Sequence, residues 1–104
     1  MAKYENIRAL AKKQLQAVTE SSDRWKAFLQ TAAIAYNYSF PNQLLIHGQS
    51  PTATAVADIA YWNNNAGRWV KRGAHGIAVF DTRANSSRLR YLFDISDTIT
   101  RAQV

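Results

Sequence analysis

Apolar residues recur along the first part of the chain at spacings of three and four: Ile7, Leu10, Ala11, Leu15 and Val18, with Arg8, Lys12 and Lys13 on the opposite side. That spacing predicts an amphipathic first helix. Ser22 and Asp23 then supply cap chemistry, and Trp25, Phe28, Leu29, Ala32, Ala33 and Tyr36 keep the helical period for about three turns, predicting a second helix with Trp25 in the core. The polar break NYS, Pro41, the run Leu44-Leu45-Ile46 and the stop signals Gly48 and Pro51 predict a short third helix. Small and β-branched residues from Thr54 to Ala57 predict a brief strand, and Asp58 caps a helix of one or two turns that ends in Asn63, Asn64, Asn65 and Gly67.

Beyond Gly67 the period changes to two. Ile77 and Val79 alternate with Ala78 and Phe80, and Leu89, Tyr91, Phe93 and Ile95 alternate with Arg88, Arg90, Leu92 and Asp94. This pattern predicts a small antiparallel meander turned at KRGAHG, where Gly73 and Gly76 supply positive φ, and at TRANSS. Helices first and strands afterwards predict an α+β fold, the N-terminal helices packed on the apolar face of the sheet. No repeat, low-complexity tract or linker divides residues 1–104, so a single domain is expected.

Composition narrows the function classes. The apolar share of 47% suffices for one core, and the absence of cysteine excludes a disulfide framework and any thiolate metal site. No apolar run is long enough to span a membrane, and MAKYENIRALAKK lacks the apolar stretch of a secretory signal, so a cytoplasmic protein is expected. The net charge of +6 is unevenly placed: residues 67–93 hold six basic groups against Asp81 alone. Such a concentration attracts polyanions, nucleic acid above all, with salt-dependent affinity.

Catalytic chemistry finds little footing. The two histidines, His47 and His75, stand far apart with no H-E-x-x-H, and no phosphate-cradling or nucleophile-elbow motif occurs, so neither a zinc site nor another cofactor site is expected. Asp94 and Asp97, with Asp81, are the carboxylates that could hold magnesium for a nuclease, and strand-end and turn roles account for them better. Gly73-Ala74-His75-Gly76 is similar to the G-x-x-G loop of KH domains, but it joins predicted strands where KH domains have helices. A single-strand binder needs cations along the backbone and rings on which bases stack. Here the cations are Arg68, Lys71, Arg72, Arg88 and Arg90, with His75 in the loop, and the platform is Trp69 or Trp62. Arg88 and Arg90 are expected on the sheet face opposite the apolar row.

The stretch from about Ala33 to Asp97 resembles the N-terminal domain of ArdC-type antirestriction proteins. The resemblance rests on S-x-x-N-Q-L-L at Ser39 to Leu45, on Trp62, and on G-R-x-V-x-x-G-x-x-G-I at Gly67 to Ile77. Similar domains open large helicase, methyltransferase or primase-like proteins of plasmids and conjugative elements. The resemblance implies non-catalytic single-stranded DNA binding without strong sequence preference, in an antirestriction or DNA-transfer setting. It assigns Asn42 and Gln43 to the family's N-Q signature, and Arg68, Lys71, Arg72, Gly73 and Gly76 to its basic hairpin. Amides at the start of a short helix equally suit bonds to exposed backbone groups, so both roles stay open for Asn42 and Gln43. ArdC-type proteins continue into a zinc-peptidase-like domain that has no counterpart here, so the chain is expected to be the N-terminal module of a larger protein. The rival expectation is a protein-docking module whose basic hairpin meets an acidic partner.

Overall fold

The computed structural model describes residues 3–83 and 87–100. Helix α1 (Tyr4–Val18) buries Ile7 and Val18 and lays Leu10 and Ala11 against the core, as its spacing predicts, while Leu15 stays exposed. In α2 (Ser22–Ile34) the cap is Ser21, one residue earlier than the sequence reading placed it; its hydroxyl accepts from the Arg24 N–H. Only Phe28 and Thr31 are buried along α2. Trp25, expected in the core, is 38% exposed, and Leu29 and Tyr36 face outward too. The physical reason is that α2 packs mainly on one neighbour, α3 (Phe40–Gln49), so a narrow line of contacts satisfies it.

Helix α3 is the centre of the molecule. Ser39 caps it, Pro41 lies in its first turn, and Leu44, Leu45 and Ile46 are all buried, because α1 and α2 cover it on one side and the sheet on the other. Helix α1 comes so close that a Cβ added at Gly48 would lie 2.7 Å from the Gln14 side chain. Full burial of each of the large residues Leu45, Ile46 and Leu92 contributes roughly 1.5–3 kcal/mol.

Strand β1 (Val56–Ala57), helix α4 (Ile59–Asn65) capped by the Asp58 carboxylate, and strand β2 (Arg68–Val70) follow, then β3 (Ile77–Phe80) and β4 (Leu89–Asp94). A 3-10 turn (Ile95–Asp97) leads into β5 (Thr98–Thr100). The strands form two antiparallel sheets, β1-β4-β3 and β2-β5. The α+β class and the packing of helices against strands agree with the sequence reading. The strand pairing differs in one respect: β3 and β4 form the expected hairpin, with Phe80 opposite Leu89, but β2 pairs with β5, placing Trp69 opposite Ile99. Residues 71–76 are therefore a link between two sheets, not a hairpin turn. Of the second expected turn, residues 84–86 lie outside the described residues.

What keeps β2 away from β3 is α3. One flank of β3 is taken by β4. On the other flank, the Asn42 side chain donates to the Phe80 carbonyl (3.0 Å) and accepts from the Phe80 N–H (2.9 Å). Two helical turns on, Gln49 does the same to Ala78, donating at 2.8 Å and accepting at 3.0 Å. Asn42 and Gln49 share one face of α3 and act on β3 as a further strand would, so the sheet edge is sealed by side chains. The other edge strand, β1, is only two residues long.

A second, smaller core joins the two sheets. Trp62 of α4 is 4% exposed, packs with Ala57 and Phe93, and donates its indole N–H to the Phe93 carbonyl at 2.9 Å. Val70 of β2 and Ala74 of the link close this cluster. Among the described residues no helix is long and apolar enough to cross a membrane.

Candidate nucleic-acid interface

Of the cations between Arg68 and Arg90, two are held in ion pairs. Arg83 meets Asp81 at 3.1 Å, and Arg90 meets Asp58 at 3.1 Å. Arg68, Lys71, Arg72 and Arg88 form no ion pair among the described residues. The positive charge concentrated in this part of the chain thus remains largely uncompensated.

Lys71, Arg72, Gly73 and His75 are exposed in the link after β2. The 3-10 turn before β5 fixes the start of this link to the β2–β5 ribbon: the Lys71 N–H donates to the Asp97 carbonyl at 2.8 Å, and its Nζ donates to the Ser96 carbonyl at 3.0 Å. Arg68 is half-buried; its Nε donates to the Thr98 hydroxyl at 2.6 Å and a terminal nitrogen donates to the Thr98 carbonyl at 3.2 Å. Arg68 therefore braces the β2–β5 ribbon from within and presents only part of its guanidinium outward. Trp69, between Arg68 and Val70, is also half-buried. Gly73 has φ +83°, the left-handed region that favours glycine, with open space around it. Gly76, expected at positive φ as well, is needed for a different reason: a Cβ there would lie 2.9 Å from the Tyr91 Cβ.

Three of the expected contact residues point into the protein. Asn42 is 3% exposed, with its amide spent on Phe80. Trp62 is core, which removes it as a stacking platform and leaves Trp69. Gln43 is half-buried and donates to the Ala35 carbonyl at 3.1 Å. Of the two roles open for Asn42 and Gln43, the backbone-bonding role is the one their side chains fill. Arg90 is likewise withdrawn from the sheet surface, because Asp58 and the Tyr38 ring, 5.9 Å from its guanidinium carbon, hold it between α4 and the sheet. Arg88 is exposed and precedes β4, whose six residues, about 20 Å of strand at a rise of roughly 3.3 Å per residue, run from it to the 3-10 turn that leads into β5. The candidate surface is therefore Arg68, Trp69, Lys71, Arg72 and His75, with Arg88 apart at the β3–β4 hairpin.

The carboxylates weighed for magnesium do not converge. Asp94 is buried and accepts from the N–H groups of Thr54 (2.8 Å), Ala55 (3.1 Å) and Ser96 (3.1 Å) and from the Ser96 hydroxyl (2.6 Å). Burial alone would raise its pKa, but these four bonds favour the charged form and hold it below the usual carboxylate value. Asp81 is also lowered, by its hydrogen bonds with Arg83. Among the described residues no group of three His, Asp or Glu side chains is placed to hold a metal ion.

Comparison with known protein families, with curated proteins and with solved structures finds no match.

Proposed function

We propose that this chain is a non-catalytic module that binds single-stranded DNA with little sequence preference, as the N-terminal part of a cytoplasmic protein of a plasmid or conjugative element with an antirestriction or DNA-transfer role. The biological setting rests on the resemblance to ArdC-type N-terminal domains. The observation that carries the binding mode is the set of unneutralised cations on the β2–β5 ribbon and its link, beside the half-buried Trp69. Lys71 and Arg72 project from a short, anchored segment, which suits a phosphate backbone. The engaged carboxylates of Asp58 and Asp94 favour a binding role over a catalytic one.

The test is a titration of the chain with matched single- and double-stranded oligonucleotides across salt, following DNA anisotropy. The expected result is tighter single-strand binding whose log–log salt slope loses about 0.7 for each phosphate contact removed by Lys71→Glu or Arg72→Glu. Absence of binding at low salt would overturn the reading. Capture of an acidic protein through Lys71 and Arg72 would then make the ribbon a docking surface.

A further inference from the structure

Beside the ribbon lies a cleft of about 520 Å³, bounded by the end of α2, β1 and α4. Its volume falls in the range of roughly 300–1,000 Å³ common for small-ligand sites. Tyr38, Tyr61 and Trp62 line it with rings, and Asn37, Asp58 and Arg90 line it with polar groups. Tyr61 is 51% exposed, its ring set edge-on to Trp62 with centroids 5.8 Å apart. Tyr61 therefore has uncovered ring surface at the cleft, while Trp62 is closed off in the core.

The polar lining is incompletely satisfied. Arg90 donates one terminal nitrogen to Asp58, but its Nε is buried with no hydrogen-bond partner. The Nε itself is closed off from the cleft, but the Arg90 side chain lines it and is 20% exposed, so the rest of the guanidinium can donate to a ligand there. A flat ligand that presents acceptors at its edge and a π-face to a tyrosine fits this lining. Unstacked nucleobases have that chemistry, and proteins that bind single strands take them on aromatic rings with hydrogen bonds to their edges.

The cleft and the ribbon share a border. Ala66 lines the cleft and β2 begins two residues later at Arg68; Ile95 lines it, and the next carbonyl, that of Ser96, holds the Lys71 ammonium. We propose that this cleft receives one unstacked base of the strand held by the ribbon, with Tyr61 as its stacking face and Arg90 as the donor to a ring nitrogen or carbonyl of the base. This inference rests on the single-strand reading above and adds to it a site for the base.

The test compares wild type, Tyr61→Ala and Tyr61→Phe in titrations with a labelled oligonucleotide and with the same strand carrying abasic sites. Tyr61 is exposed, so folding of both variants is to be verified by circular dichroism against an unchanged melting curve. Tyr61→Ala is expected to weaken binding by roughly tenfold and Tyr61→Phe to retain it, with the salt slope unchanged in both. On the abasic strand the wild-type protein should lose the same factor and Tyr61→Ala nothing further. Equal affinity of wild type and Tyr61→Ala for the intact strand would overturn the base site while leaving the ribbon reading in place. Failure of wild type to bind any strand would overturn both. Saturable binding of free adenosine, with oligonucleotide affinity indifferent to Tyr61→Ala, would make the cleft a small-molecule site and also overturn the proposal.

Discussion

At the outer flank of β3 the N–H and C=O of Ala78 and Phe80 each have a side-chain partner, whereas in the link after β2 the neighbouring cations Lys71 and Arg72 form no ion pair among the described residues. The difference follows from where the groups sit. An unpaired amide inside the protein costs about 1–3 kcal/mol, so Asn42 and Gln49 are matched to the strand atom for atom. An exposed ammonium or guanidinium is solvated by water and counterions, so leaving it unpaired costs little and keeps it available. Here the Asn42 and Gln49 amides, spent on the β3 backbone, hold the fold, and the outward charges of Lys71 and Arg72, without a countercharge among the described residues, are the candidates for binding.

The comparison can be broken most sharply at the small core. Trp62→Ala should cost about 3–5 kcal/mol in denaturant unfolding, because it empties the volume between Ala57 and Phe93 and frees the Phe93 carbonyl. A loss under about 1 kcal/mol would mean that the two sheets do not depend on it. Asn42→Ala, read the same way, should cost roughly 2–4 kcal/mol, since it strands both backbone groups of Phe80. If oligonucleotide affinity fell in the folded Asn42→Ala protein with its salt slope altered, Asn42 would belong with the outward class after all.

Asp94 offers a milder test through pH. Its folded-state pKa lies below the unfolded value, so the folded chain binds that proton less readily than the unfolded one. The stabilisation is fully present above about pH 4 and is lost as pH falls through the folded pKa. Asp94→Asn should lower the stability at neutral pH by about 1–3 kcal/mol and flatten this acid limb of the melting temperature. His47, whose pKa burial lowers and which pairs with the Thr31 hydroxyl at 2.8 Å, adds a separate decline that starts below about pH 6.5, where the unfolded chain takes up the proton more readily than the folded one. The smallest effect on folding belongs to Arg72→Glu, expected within about 0.5 kcal/mol of wild type. A larger loss there would give the exposed cation a structural task.

Much of the helical half was legible because its signals are local. Ser39, Pro41, Asp58 and Gly67 mark ends within a few residues of the bonds they make, and α4 starts where its cap predicts. The cations were legible for a similar reason, since charge can be summed along the chain. The β3–β4 hairpin was legible too, but the exclusion of β2 from it was not, because it depends on contacts 29 and 38 residues apart: Gln49 to Ala78 and Asn42 to Phe80. The available clue was two amides seven positions apart on one helix, a spacing that puts them on a single face. Trp25 was misplaced because a helical period gives the apolar side of a helix but not how wide its neighbour is. The separation of Arg88 from the ribbon also had no trace in the residues themselves, since alternation fixes a face of a strand and not its end.

The amide seal on β3 also ties the time course of solvent access at two distant places in the chain. The Ala78 and Phe80 amide hydrogens point at α3 side chains and away from β4, so their exchange with deuterium follows the loosening of α3 contacts more than the opening of the β3–β4 hairpin. Exchange at these two amides therefore reports the loosening of helix positions 29 and 38 residues upstream, and α3 and β3 should be protected, and exposed, as one unit.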